Sequence, residues 1–384
     1  MDPRRLLHAL ALIALVAVPT HASAPPPLNI AGRFTFPAAA TSPGDAVSAG
    51  LARSDRWIGM APFDNPALAP ARGVVVSPLA MHGNRQDLSA ANREFEQTFV
   101  LLDFAGASLT VPIRAVSVSL YAWQPVIRRE EMAFNLGNGV IVGPPARLAL
   151  QGEARESIAG LALSLGHGDW RWGVAGEWRR RADQYASTET SGSPESGKRD
   201  LAFDGSGISG GAGFTWRHQP DQKWGWRVGG AVHVSPALDV TGQSVNTLLT
   251  GDTTIAVSAT REGLWGGGLS ARLTLSAETH VFATAGSRTS EEWTGLGFKT
   301  GAASEWRAGI EYRDSETPYA VRAGLGMERF PGSSEPKAGV IGLGFSLYSG
   351  ETVFDLGLTH RTLSLPESPN SYDTRLLGSV RVSF

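Results

Sequence analysis

Along most of the chain the apolar positions recur at every second residue. In 338–348, Ile341, Leu343, Phe345 and Leu347 share one face, and Gly342, Gly344 and Ser346 share the other. Beyond a break at Ser349-Gly350-Glu351, Phe354, Leu356 and Leu358 lie on one side and Asp355, Gly357, Thr359 and Arg361 on the opposite side. The split recurs at 304–313, where Trp306, Ala308, Ile310 and Tyr312 oppose Glu305, Arg307, Gly309, Glu311 and Arg313. At 319–328, Tyr319, Val321, Ala323, Leu325 and Met327 oppose Arg322, Gly324, Gly326 and Glu328. Upstream, Trp170, Trp172, Val174 and Trp178 oppose Arg171, Gly173, Glu177 and Arg179, and Trp224, Trp226, Val228, Val232 and Val234 oppose Arg227, Gly229 and His233. Alternation sustained over roughly ten residues predicts strands with one apolar and one polar face.

Such strands exceed the 5–6 residues typical of soluble sheets and suit a tilted membrane crossing of ~9–11 residues. Short connections are expected near 105–107, 167–169, 218–222, 276–278, 314–318 and 349–351. Long ones are expected near 82–94, 121–155, 183–206, 236–250, 290–303, 329–337 and 363–373. Their alternation predicts about fourteen strands, with 251–275 read as one long strand because two would make the count odd. Residues 95–104 lose the alternation and leave the first strands poorly bounded. Short turns on one side and long loops on the other is the arrangement of outer-membrane barrels. No run of ~18 apolar residues follows Ala24, yet barrel strands show oil only every second side chain and escape that criterion.

Residues 1–22 read as a secretory signal, with Arg4 and Arg5 before a largely apolar stretch from Leu6 to Val18. Cleavage after Thr20-His21-Ala22 is preferred to Ala22-Ser23-Ala24, which would place Pro25 directly after the cut. The apolar stretch is too short to span a ~30 Å hydrocarbon layer. An exported chain is therefore expected, in an outer membrane of Gram-negative type.

The 384 residues include 46 Gly and no Cys, with a formal net charge of −2. Glycine is well above its ~7% average and points to turns or to tightly packed backbone. Near-neutral charge leaves no electrostatic footprint for nucleic acid. Without cysteine there is no thiolate metal site, thiol nucleophile, disulfide or lipidated N-terminus. Neither a metal nor another cofactor is expected.

Residues 23–72 mostly lack the alternation, yet Phe34, Phe36, Trp57, Ile58, Met60, Phe63 and Leu68 make them too apolar for a solvated linker. Fourteen strands enclose a lumen too wide for wall side chains to fill, since about eight already give a packed interior. A plug formed by 23–72 inside a barrel formed by 73–384 answers both points. An idle periplasmic tail is the simpler alternative.

Ser48-Ala49-Gly50-Leu51-Ala52 through Asp55, then Phe63-Asp64-Asn65-Pro66-Ala67-Leu68, precede the first strand. This stretch resembles the hatch of the outer-membrane transporters of the FadL/TodX type, with Asn65, Pro66 and Ala67 as its Asn-Pro-Ala motif. That resemblance implies an all-β transmembrane antiparallel barrel of about 14 strands with an N-terminal plug, and passive uptake of hydrophobic small molecules released laterally through the wall. The final strand sets Leu376, Val380, Val382 and Phe384 against Arg375, Ser379, Arg381 and Ser383. A terminal aromatic on an alternating strand resembles the signal read by the barrel assembly machinery, so Phe384 is the expected assembly signal. Partners would be that machinery, outer-membrane lipid and a hydrophobic ligand. The related PorV-type barrels serve protein secretion, and a general porin is a further alternative. The chain is shorter than typical fatty-acid transporters and its hatch carries fewer glycines.

Charges of both signs fall on the polar faces: Arg171, Arg179, Glu305, Arg307, Glu311, Arg313, Arg322, Asp355, Arg361 and Arg381, with Glu177, Arg181, Arg227, Arg272 and Glu328. Mixed sign favours ion pairs across the lumen. Alternatively, some arginines hold a ligand carboxylate, for which the guanidinium fork is suited. Trp170, Trp172, Trp224 and Trp226 follow short turns and read as an aromatic girdle, or less simply as stacking surfaces for a ligand. No His-Glu-x-x-His or Gly-x-Ser-x-Gly motif is present. A lipase-like pair such as His360 near Ser364 would lack an orienting acid, so an enzyme is not expected.

Overall fold

The computed structural model describes residues 46–59, 62–68, 73–86, 104–136, 146–191, 195–218, 224–248, 251–294, 298–299, 302–314, 316–330, 337–365 and 368–383. The expected signal peptide, the first part of the expected plug and Phe384 lie outside them.

A five-residue helix, α1 (Ala46–Gly50), precedes the strands. These run β1 (Gly73–Gln86), β2 (Gly106–Ile113), β3 (Val116–Leu136), β4 (Ala146–His167), β5 (Trp170–Ser191), β6 (Glu195–His218), β7 (Gly225–Ser235) and β8 (Leu238–Leu248). They continue as β9 (Gly251–Arg261), β10 (Leu264–Thr274), β11 (Thr279–Arg288), β12 (Glu292–Thr294), β13 (Phe298–Lys299) and β14 (Ala303–Arg313). The last four are β15 (Tyr319–Arg329), β16 (Lys337–Ser349), β17 (Thr352–Leu365) and β18 (Ser368–Ser383).

Neighbouring strands pair antiparallel, and β1 pairs with β18 to close the ring. Four pairs of segments are single staves interrupted midway: β7 with β8, β9 with β10, β11 with β12, and β13 with β14. The register shows this, because β7–β10 and β8–β9 continue one pairing ladder (Ser235↔Leu264, then Leu238↔Arg261). The barrel therefore has fourteen staves.

The interruptions at 236–237, 262–263 and 289–291 fall side by side and form a crease across three neighbouring staves. At the crease the faces swap. Apart from Gly230, buried positions are odd-numbered in β7 (Gly229, Ala231, Ser235) and even-numbered in β8 (Leu238, Val240, Ser244). Its partner swaps too, with Ala259 and Arg261 buried on one side and Ser270 and Thr274 on the other. Two facing bulges of this kind keep the ladder intact.

The faces divide as the alternation predicts. Ile341, Leu343, Phe345, Leu347, Phe354, Leu356 and Leu358 are exposed, while Ser346, Asp355, Thr359 and Arg361 are buried. A contiguous outward apolar belt around a polar interior is the surface of a membrane-spanning barrel. Trp170, Trp172 and Trp224 are exposed near short turns, and Trp226 is half-buried with its ring edge-on to Trp216 at 4.0 Å.

Two expectations change. The short connection expected at 105–107 is instead Arg114-Ala115, with Arg114 left-handed at φ 60°, and Gly106 and Ala107 open β2. Much of the expected long loops at 121–155, 183–206, 236–250, 290–303 and 363–373 is strand. β4, β5 and β6 run for 22, 22 and 24 residues, about twice a membrane crossing of ~9–11. Past the oil neither face is obliged to be apolar, so backbone pairing continues where side-chain periodicity stops. The extended part has an apolar core of its own, including Leu201, Phe203, Leu238, Val240 and Trp293.

Candidate functional site

Residues 46–68, where described, lie within the ring of strands and are almost entirely buried. α1 is seated against β15 to β18. Leu51 and Ile58 pack with Val47 and the inward-facing Phe282, and Phe63 stacks on Trp123 of β3 with ring centroids 4.9 Å apart.

Close approach is possible because the wall beneath this segment is glycine. A Cβ at Gly173 would meet the Pro66–Ala67 peptide, at Gly213 the Asn65 carboxamide, and at Gly268 or Gly286 the Trp57 ring. Opposite, one at Gly309, Gly324 or Gly342 would meet Leu51, Ser54 or the backbone at 49–52. Several of these glycines pair directly across strands: Gly173↔Gly213, Gly268↔Gly286 and Gly309↔Gly324↔Gly342. The glycine-rich composition thus serves backbone-to-backbone contact more than turns.

The Asn-Pro-Ala stretch makes specific contacts. Asn65 Nδ2 donates to Trp57 O at 2.8 Å and to Phe214 O of β6 at 3.0 Å, and Asn65 Oδ1 accepts from Ala67 N at 2.9 Å. Trp57 N donates to Ser270 Oγ at 3.2 Å, and the nearby carbonyl of Asp64 is held by His233 Nε2 at 2.9 Å. Ala52 and Arg53 both take left-handed φ (49° and 63°), an arrangement that non-glycine residues adopt at a cost. Arg307 Nη1 donates to Ala52 O at 2.8 Å and holds this turn.

Charges tie the segment to the wall in one chain. Asp64 accepts from Arg53 (2.7 Å) and Arg56 (3.2 Å), Arg56 reaches Glu305 (2.5 Å), Glu305 pairs with Arg307 (2.7 Å), and Glu328 bridges Arg307 (2.6 Å) and Arg361 (2.7 Å). Burial draws the Arg53 guanidinium down to about 10, with repulsion from Arg56 adding to it and Asp64 opposing. A second network joins Glu311, Arg322, Ser346, Asp355 and Arg381 across β14 to β18. A third sets Arg179 (2.9 Å), Arg261 (3.4 Å) and Arg181 (3.7 Å) around Glu156 of β4.

Eight of the ten candidate lumen charges therefore fall into these networks. Arg171 is half-buried near the turn before β5, outside all three, and Arg313 is exposed, its guanidinium 4.0 Å over the Tyr348 ring. His360 contacts Thr374 and Thr362 rather than Ser364. Sequence reasoning missed Glu156, Arg261 and the Arg53–Arg56–Asp64 group. Glu156 falls beside an expected loop, and Arg261 adjoins the crease where the faces swap.

On the extracellular side of Trp57 and Phe63, by the usual orientation of such barrels, a cavity of about 150 Å³ opens between the segment and the wall. Trp123, Ile158, Leu264 and Trp265 give it apolar sides, and Arg179, Arg261 and Arg288 a charged margin. It reaches the crease at Leu264, Trp265 and Thr289.

A fourteen-stave antiparallel barrel with its lumen occupied by an N-terminal segment is an architecture with solved counterparts. The fold is that of the FadL and TodX channels. A FadL homologue of Pseudomonas aeruginosa superposes with a TM-score of 0.64 at 12% identity, covering 90% of this chain and 100% of its own. The toluene transporter TbuX of Ralstonia pickettii gives 0.59 at 13%, covering 88% and 98%. The monoaromatic hydrocarbon channel CymD gives 0.58 at 16%, covering 93% and 99%. No family model matches the chain, and no curated protein matches it in sequence.

Proposed function

We propose that this chain is an outer-membrane channel for passive uptake of hydrophobic small molecules, with residues 46–68 as its plug. The observation that carries this reading is the cavity above Trp57. Its ~150 Å³ is the size of a cavity that takes up a benzene-sized molecule, and Trp57, Phe63, Trp123, Ile158, Leu264 and Trp265 offer such a molecule apolar surface beside the charged margin. The fold shared with channels described as toluene and monoaromatic hydrocarbon transporters agrees with it.

A ligand would leave water among the extended strands and gain ~25 cal/mol for each Å² of apolar surface removed from water. It would rest against Trp57 and Phe63. Descent needs displacement of the plug, whose wall contacts include the Asn65 and Trp57 hydrogen bonds, those of His233 and Arg307 to its backbone, and the Arg56–Glu305 ion pair. The proposed role of Asn65, Pro66 and Ala67 is to latch that plug.

The test is uptake of toluene and of a fatty acid into proteoliposomes, alongside growth of a deletion strain on the same compounds. Transport above empty vesicles with loss of growth supports the proposal, and neither effect refutes it. Steady ionic conductance of the unmodified protein in planar bilayers would favour a general porin. Native mass spectrometry showing a co-purifying protein chain and no apolar ligand would favour a secretion partner.

A further inference from the structure

Beneath the plug, toward the short-turn end, lies a row of arginines that the three charge networks do not include. Arg217 of β6 is paired across the sheet with Arg227 of β7, and Arg227 with Arg272 of β10. Arg171 of β5 lies beside them, facing Thr215 one inward position from Arg217. All four are on the lumen face: Arg171, Arg227 and Arg272 lie two positions below Gly173, Gly229 and Ser270, which meet the plug, and Arg217 lies four below Gly213, which also does.

Like charges set directly opposite on neighbouring strands destabilise a sheet. Among the described residues, each of the three networks above is neutralised by carboxylates. This one is not. Among the described residues none of the four has a carboxylate within ion-pair distance; the acid nearest in effect on Arg272 is Glu311, already bonded to Arg322 at 2.5 Å. The Arg272 Nε is buried without a hydrogen-bond partner. His280, the other titratable group facing Arg272, is bonded to Thr274.

We infer that this row is an oxyanion site at the exit side of the plug, built to take a carboxylate head. Guanidinium forks bind carboxylates by paired, charge-assisted hydrogen bonds. An anion there removes the mutual repulsion that the row otherwise sustains. A ligand passing the plug with its apolar body against Trp57 would present a carboxylate to Arg227 and Arg272, so the site would favour amphiphilic acids over neutral hydrocarbons at the exit step. The identity of that visitor rests on the uptake reading, whereas the anion site stands on the arginine row alone.

The experiment uses the full-length processed protein in non-ionic detergent. Octanoate, octanol and inorganic phosphate are titrated by calorimetry, and thermal unfolding is followed with each. Octanoate is expected to bind at least tenfold more tightly than octanol and to raise the unfolding temperature. Arg227→Gln/Arg272→Gln should lose that tenfold margin while binding octanol as before, and should unfold no earlier than the parent without ligand. Phosphate raising the temperature equally would show an oxyanion site without carboxylate preference and overturn the carboxylate assignment. No anion effect, or an early-unfolding double variant, would mean that the row is neutralised within the chain and would overturn the inference. Toluene uptake with no octanoate effect sinks only this inference; an octanoate effect without any uptake sinks only the transport reading.

Discussion

Asn65 and Phe214 are joined by a hydrogen bond of 3.0 Å from the Asn65 carboxamide to the Phe214 carbonyl, which links the N-terminal segment to the backbone of the wall. The same Nδ2 also holds Trp57 O, so one buried side chain fixes both the segment's own fold and its seat.

Asn65→Ala removes both bonds and the acceptor for Ala67 N. Leaving buried partners unsatisfied costs ~1–3 kcal/mol each, and the loss falls on the seat rather than the barrel. The expected outcome is flickering ionic conductance in planar bilayers where the parent is closed, with the heat-modifiable band of the folded barrel unchanged on a gel. A variant as closed as the parent would rule out a latch at Asn65.

Gly286→Leu places a side chain where the Trp57 ring lies, with no backbone atom nearer than Gly267 O at 3.0 Å. Overpacking of this kind costs ~1–3 kcal/mol, and the ring is the part able to move. Trp57 should become accessible, seen as increased acrylamide quenching relative to the parent in a background where the other tryptophans are constant.

Glu328→Gln leaves Arg307 and Arg361 without their shared carboxylate, and both guanidiniums are buried. Breaking a buried pair from one side costs ~3–5 kcal/mol. A marked drop in unfolding temperature is expected, and adding Arg361→Met should recover part of it. A Glu328→Gln variant as stable as the parent would show the ladder to be energetically idle.

Ala52→Gly acts the other way. A left-handed alanine carries ~1–2 kcal/mol that glycine avoids, against roughly 0.5–1 kcal/mol for the added freedom of the unfolded chain, so the variant should unfold at a slightly higher temperature, and a lower one would show that the turn is unstrained. The residue lies 2.8 Å from Arg307 through its carbonyl, which the substitution preserves.

The alternation was readable wherever oil lies on one side. Ile341, Leu343 and Phe345 are exposed and Ser346 and Asp355 buried, as their spacing requires. It was unreadable beyond the belt, where both faces of β4 to β6 meet protein or water and polar residues pair as well as apolar ones. It also misleads across the crease. Residues 251–275 form one stave, but Arg261 and Leu264, three apart, face the same way, against the period of two. The inward face of the charged residues follows from parity, whereas the order Asp64–Arg56–Glu305–Arg307–Glu328 does not, because it joins residues up to 264 apart in sequence through the fold alone. The glycines of the seat were visible as a composition bias on polar faces, with no sign of what would press against them.

The crease has a simple arithmetic origin: Pro236-Ala237 and Glu262-Gly263 each hold one residue more than an unbroken strand would need. Taking one from each pair would leave Ser235, Leu238, Arg261 and Leu264 on their present faces and iron the two staves flat. The third stave carries the same surplus at 289–291, so the fold line can be removed only by shortening all three staves together.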